Sequence, residues 1–196
     1  FRKHKIIPTF CFSCIKVTID IDNVVDLIKL FIIFENINLP NNNLRKCMID
    51  LRSDSKANYK GFIYCRSREE AEEIRKKLNK IIKVNMSEKL SFNIKRGCSE
   101  FNKKYSGFAD SSQNLVNYNP DWKKYEDIID QKFPKFELMN KKQQTIKGIS
   151  FYDIMIIRNW LFFARLINDQ SYKTIQEKTT PNSNLEKIVR QNKLNS

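Results

Sequence analysis

A chain of 196 residues, 41% of them hydrophobic and 12% aromatic, can bury a substantial core, which excludes an intrinsically disordered polymer. Its 36 Lys+Arg against 22 Asp+Glu leave a formal net charge of +14, a surplus that favours a polyanionic partner, most often nucleic acid and sometimes an acidic membrane. The five cysteines are odd in number and not spaced like a small secreted scaffold, so thiols or a metal in a cytoplasmic or organellar-matrix protein are expected rather than a disulfide framework.

Residues 1–9 form a basic arm, Arg2, Lys3 and Lys5 around the single histidine, His4. Over residues 10–20 the alternation of Ile15, Val17 and Ile19 predicts a half-buried strand. Asp22 or Asn23 can cap a following helix whose apolar positions Val25, Leu27, Ile28, Leu30, Phe31 and Phe34 recur at helical spacing. Leu39-Pro40-Asn41-Asn42-Asn43 ends it. Residues 44–51 predict a second strand with Cys47, Ile49 and Leu51 on one face, and residues 52–58 a polar turn. Residues 59–65 predict a third strand, and Ser67-Arg68-Glu69-Glu70 a capping box opening a helix through Ala71, Ile74 and Leu78 to about Lys83. Leu90, Phe92 and Ile94 mark a fourth strand over residues 90–95, ended by Gly97.

The order strand, helix, strand, strand, helix, strand leaves few topologies once connections are short and crossovers right-handed. The expectation is an α+β protein: a ferredoxin-like βαββαβ sandwich over residues 10–100, its antiparallel sheet ordered 4-1-3-2, with both helices on one face. Residues 101–120 read as a long connection and 121–170 as a helical extension. That extension holds a helix opened by Pro120, a break at Phe133-Pro134-Lys135-Phe136, a basic segment over 141–147 and a long apolar helix near 150–168. Residues 171–196 read as a polar basic tail. The most apolar stretch, 149–167, is interrupted by Asp153, Arg158, Asn159 and Arg165, so a packed helix is expected rather than a membrane span.

Within the third strand, Lys60-Gly61-Phe62-Ile63-Tyr64, followed by a Glu69-Glu70-Ala71 helix, resembles the RNP1 segment of RNA-recognition-motif domains. The resemblance covers residues 10–97 and implies that Lys60, Phe62 and Tyr64 face the open side of the sheet. There the rings would stack on single-stranded bases and the lysine would meet phosphate. Gly61, Ile63 and Cys65 would then point to the helices, and Phe12 on the first strand would supply a companion ring. A competing expectation occupies the same residues: the apolar helix over 149–167 could lie across the open face and bury Phe62 and Tyr64.

The proposed sheet order gathers Cys11, Cys14, Cys65 and Cys98 toward one end of the sandwich, with Cys47 at the outer flank. Cys11-Phe12-Ser13-Cys14 carries the two-residue gap of zinc and iron–sulfur ligands. Cys11, Cys14, Cys65 and Cys98 are therefore candidate ligands for zinc or an iron–sulfur cluster; buried inert thiols, or redox use of Cys11 or Cys98, are the alternatives. Cations collect nearby, and the RNA-contacting set is expected to comprise Lys16, Arg45, Lys46, Lys60, Phe62, Tyr64, Arg66, Lys95 and Arg96. Arg66 with the amides of Ser67–Glu70 could hold a phosphate.

No histidine or carboxylate is placed to activate a nucleophile, so no catalytic residue is assigned. The expected function is a non-catalytic RNA-binding component of a larger, ribonucleoprotein, assembly that docks on other protein subunits through residues 149–167. The alternatives are an enzyme or regulator that binds a phosphate-bearing ligand at the cysteine–arginine end, and a protein–protein scaffold whose basicity is compositional.

Overall fold

The computed structural model describes residues 6–53, 55–86, 90–112, 115–132 and 149–179. Its elements in order are α1 (Thr9–Ser13), β1 (Ile15–Ile21), α2 (Val24–Asn36), β2 (Arg45–Ile49), β3 (Tyr59–Cys65), α3 (Arg68–Asn85), β4 (Ser91–Arg96), α4 (Lys123–Asp130), α5 (Phe151–Leu166) and α6 (Tyr172–Thr179). Short 3₁₀ turns lie at Ser99–Lys103 and Pro120–Trp122. The four strands make one antiparallel sheet in the order β2-β3-β1-β4, the expected order read from the other edge. The chain is thus an α+β protein with an open four-stranded sheet.

Strand alternation decides which side chains meet the helices. Ile15, Val17, Ile19 and Ile21 of β1 and Tyr59, Ile63 and Cys65 of β3 are buried against α2 and α3 in one core. α2 contributes Val24, Leu27, Leu30 and Phe34, and α3 contributes Ala71, Ile74, Leu78 and Ile82 at helical spacing. Gly61 marks where α2 comes closest, since a β-carbon there would run into the Leu30 side chain and lie 3.3 Å from the Phe34 ring. Asn23 caps α2 by accepting from the Asp26 amide, and Ser67 caps α3 by accepting from Glu70.

The structure departs from the sequence expectation at both ends of this unit. β1 begins at Ile15 rather than near residue 10, because residues 9–13 form α1. Phe12 therefore supplies no ring to the sheet surface; it packs edge-on against Phe108 and Tyr118 instead. Leu51 falls beyond β2 and is 78% exposed. The stretch read as a long connection is built into a second core: Ile7, Cys11 and Phe108 are buried there, with Phe12, Cys98, Phe101, Tyr105, Val116 and Trp122 packed around them. Glu126 of α4 ties this core to α1 by accepting from the Thr9 amide at 2.6 Å and the Thr9 hydroxyl at 2.8 Å.

The larger correction concerns α5. It does not lie across the open face of the sheet; it packs on the helix side, against α2 and the β3 end of the core. Trp160 meets Phe31 edge-on at 6.0 Å and Phe163 meets Tyr59 at 6.0 Å. A packed helix is observed as expected, but its burial is one-sided: Trp160 and Ala164 are its buried residues, while Ile154, Ile156 and Phe162 are exposed. Among the described residues no helix is long and apolar enough to cross a membrane. The basic arm at residues 2–5, the break at 133–136, the basic segment over 141–147 and the tail beyond 179 lie outside the described residues.

Asp169, between α5 and α6, fastens this appendage to the sandwich. Its Oδ2 accepts from the Val24 amide at 2.7 Å and from the Tyr59 hydroxyl at 2.9 Å. Burial opposes its charge, but hydrogen bonds from Ser171, Val24 and Tyr59 hold the carboxyl below the usual aspartate range. Asp169→Ala is expected to destabilise the protein by about 1–3 kcal/mol, the cost of an unpaired buried Tyr59 hydroxyl and an unsatisfied helix-start amide. A urea unfolding midpoint checks this, and Asp169→Asn should recover part of the loss because its amide oxygen still accepts.

Candidate functional site

On the sheet face away from the helices, register sets a row of charges beside a ring. Lys16 stands between Tyr64 and Lys95, Thr18 between Phe62 and Asn93, and Asp20 between Lys60 and Ser91. Lys46 of β2 lies opposite Phe62. The expected parity of Lys60, Phe62 and Tyr64 is therefore observed. Two ammonium groups flank the Phe62 ring, Lys16 Nζ at 5.0 Å and Lys46 Nζ at 5.4 Å from its centroid, and Lys46 also reaches 5.8 Å from the Tyr64 ring. The ring's negative face thus helps hold two like charges close together.

Burial sorts these groups into different roles. Lys46 is exposed, Tyr64 and Lys95 are half-buried, and Lys16 is 8% exposed. Lys16 Nζ donates to the Gly97 carbonyl at 2.6 Å. Burial, then the neighbouring Lys95 charge, pushes the Lys16 ammonium down to about 8. Lys95 is lowered as well, by burial first and then by Lys60. Burial is thus the first cause at both lysines and like-charge repulsion the second, and an arriving anion would relieve the second.

Phe62, by contrast, is only 6% exposed, so its ring is a platform for the lysines rather than a free surface for a base. Lys60 is 6% exposed and turned inward: its Nζ lies 3.0 Å from Asp50 Oδ2 and 3.7 Å from Asp20 Oδ1. Asp50, itself 3% exposed, also receives Arg52 Nε at 2.8 Å, Arg52 Nη2 at 2.7 Å and the Ser55 hydroxyl. This ion cluster was not anticipated from sequence, where residues 52–58 read as a polar turn. The pairing of Asp20 with Lys60 across adjacent strands was the signal that could have found part of it.

The arginines divide similarly. Arg96 is 5% exposed; its guanidinium lies 5.4 Å from the Phe12 ring and 5.0 Å from the Phe108 ring and donates to the Phe108 carbonyl at 3.3 Å. It serves the second core rather than presenting a fork to phosphate, which corrects the expectation placed on it. Arg45 donates to the Ile37 carbonyl at 2.9 Å and is half-buried. The Arg66 side chain is exposed, but its amide is taken by Glu70 Oε2 at 2.6 Å. Glu70, which also accepts from Asn41 and Asn43, thus fills the start of α3 where a phosphate was envisaged.

The cysteines converge as a pair with neighbours rather than as a ligand set. Cys11 and Cys98 bring their sulfurs to 3.5 Å. Cys14 is wedged beside Gly97, where an added β-carbon would lie 2.5 Å from its sulfur, and Gly97 donates its amide to the Cys14 carbonyl at 2.8 Å. Cys65 is buried on the helix side of β3, and Cys47 lies on β2 opposite Gly61. Among the described residues no group of three or more His, Cys, Asp or Glu side chains is arranged to hold a metal ion.

Comparison of this chain with protein-family models, with curated proteins and with solved structures finds no match.

Proposed function

We propose that this chain is a non-catalytic, RNA-binding component of a larger ribonucleoprotein assembly, built on a ferredoxin-like sandwich. The observation that carries the reading is the cationic sheet face, where Lys16 and Lys46 stand over Phe62 with Lys95 beside them. Such a row matches a sugar–phosphate backbone, which supplies one charge per nucleotide and releases counterions on binding. Base stacking on Phe62 is not part of this reading, because the ring is already covered; the half-buried Tyr64 is the ring left at the rim. Contact with RNA is thus through charge and position, with little sequence preference. α5 supports the assembly part of the reading: Phe151, Tyr152, Phe162 and Leu166 are 60–78% exposed, suited to another protein subunit.

Single-stranded RNA titrated at several salt concentrations tests the reading. Lys46→Ala and Lys95→Ala should each weaken binding and lower the slope of log affinity against log salt by about 0.7–1. Unchanged affinity and slope in both variants would remove the sheet face as the contact surface. The pH dependence has a definite sign. Lys16 is charged below about 8 and loses its proton as pH rises through that value, so affinity should fall across this range. Lys16→Arg, which stays charged, should flatten the profile; a wild-type profile already flat there would count against Lys16 facing the phosphates.

A further inference from the structure

We propose that Cys11 and Cys98 form a reversible dithiol–disulfide site, oxidised by a hydroperoxide, that locks α1 to the exit of β4. The geometry brings together two thiols 87 positions apart in the chain, with sulfurs at 3.5 Å and both in the second core. A disulfide requires their approach to roughly 2.05 Å, about 1.5 Å nearer. α1 is a helix of five residues, tied to α4 by Glu126 and to the end of β4 by the Gly97 amide on the Cys14 carbonyl, so the closure is a shift of one short turn. The inference does not depend on RNA binding.

The two sulfurs are not equivalent, and the difference orders the reaction. Cys98 is half-buried and so reachable from solvent, whereas Cys11 is 6% exposed. The Cys11 S–H donates to the Cys98 sulfur, which favours the Cys98 thiolate and pushes Cys11 up; Lys16 adds to the effect at Cys98, while burial and Glu100 oppose it. Cys98 is therefore the attacking sulfur and Cys11 the resolving one. The Cys98 thiolate attacks the terminal peroxide oxygen; the S–O bond forms, the O–O bond breaks, and the departing alkoxide takes a proton from solvent. The Cys11 sulfur then attacks the Cys98 sulfenic sulfur. An S–S bond forms, the S–O bond breaks, and the hydroxide leaves as water with the Cys11 proton. Two thiols lose two electrons, and the hydroperoxide is reduced to an alcohol and water.

The remaining thiols are closed to this chemistry. Cys65 is 4% exposed in the main core, and burial, first of its causes, raises its thiol to about 12. Cys47 is raised by burial too, and Cys14 is pressed against Gly97. The site thus selects one pair among five cysteines.

The test is hydrogen peroxide added in stoichiometric amount to the reduced full chain, followed by non-reducing peptide mapping. The expected result is a Cys11–Cys98 cross-link, with Cys14, Cys47 and Cys65 still alkylatable after denaturation and all thiols recovered with dithiothreitol. Cys11→Ala should leave a Cys98 sulfenic acid that dimedone traps, whereas Cys98→Ala should lose peroxide-dependent oxidation of Cys11. Cys14→Ala should keep the cross-link. A wild-type cross-link between Cys98 and Cys14, or a Cys98 that stays a thiol or passes to higher oxides without bridging, overturns the proposal.

Discussion

Asp50→Ala is expected to cost about 3–5 kcal/mol of stability, because it strands the Lys60 ammonium in a buried position. Lys60 and Asp50 are 6% and 3% exposed, and their contact at 3.0 Å is the shorter of the two that Lys60 makes; Asp20, at 3.7 Å, is its other counter-charge. The Arg52 arm is mostly solvated, and its direct contribution is small. Urea denaturation measures the loss. Replacing the pair together, Asp50→Leu with Lys60→Met, should restore much of it, since the large term is the orphaned charge and not the attraction itself. The acid limb carries a second signature. Hydrogen bonds from Arg52, then Lys60 and Ser55 against the opposing effect of burial, hold the Asp50 carboxyl far below the aspartate range. A carboxyl depressed in the folded state contributes stability that is fully present above its unfolded pKa of about 3.9 and is lost as pH falls through the folded value. Wild-type stability should therefore decline continuously below about pH 4, and Asp50→Asn should show a shallower decline. Equal slopes would mean that the carboxyl is not held by these partners.

Trp160→Ala should undock α5 and α6 from the sandwich, removing about 3–5 kcal/mol of docking free energy. Trp160 is 6% exposed and meets Phe31 of α2 edge-on, with the fully buried Ala164 one turn away. The Phe163–Tyr59 contact and the Asp169 hydrogen bonds remain, but Trp160 is the largest buried side chain that α5 contributes. Amide exchange separates this local event from general unfolding. Protection should fall through residues 151–166 while β1 and β3, zipped along seven paired positions, retain theirs. Loss of protection in the sheet to the same degree would show that α5 is integral to the main core rather than appended to it.

Much of the sandwich was legible in the linear chain because its signals are local. Alternation of Ile15, Val17 and Ile19, helical spacing of Leu27, Leu30 and Phe34, and the Ser67 cap each report the conformation of a few adjacent residues. Strand order followed from connection length, and the shared face of Lys60, Phe62 and Tyr64 from the pleat, while the resemblance implied that this face is the open one. The cations were legible as residue types but not as roles. Lys60 and Arg96 look like surface groups in sequence, yet Asp50 and the Phe12 and Phe108 rings draw them inward.

The nine-residue stretch from Tyr59 to Ser67 shows where the boundary falls. By itself the sequence determined that it is a strand running into a capped helix, with Gly61 and Phe62 on opposite faces, since backbone geometry and the pleat need no distant partner; that Gly61 takes the helix face was implied only by the resemblance. Only the tertiary structure decided that Phe62 lies under lysines instead of under α5, that Glu70 occupies the start of α3, and that Cys11 stands against Cys98. Those outcomes depend on which surfaces meet across long sequence separations, and desolvation at such meetings is set by neighbours that no local pattern encodes.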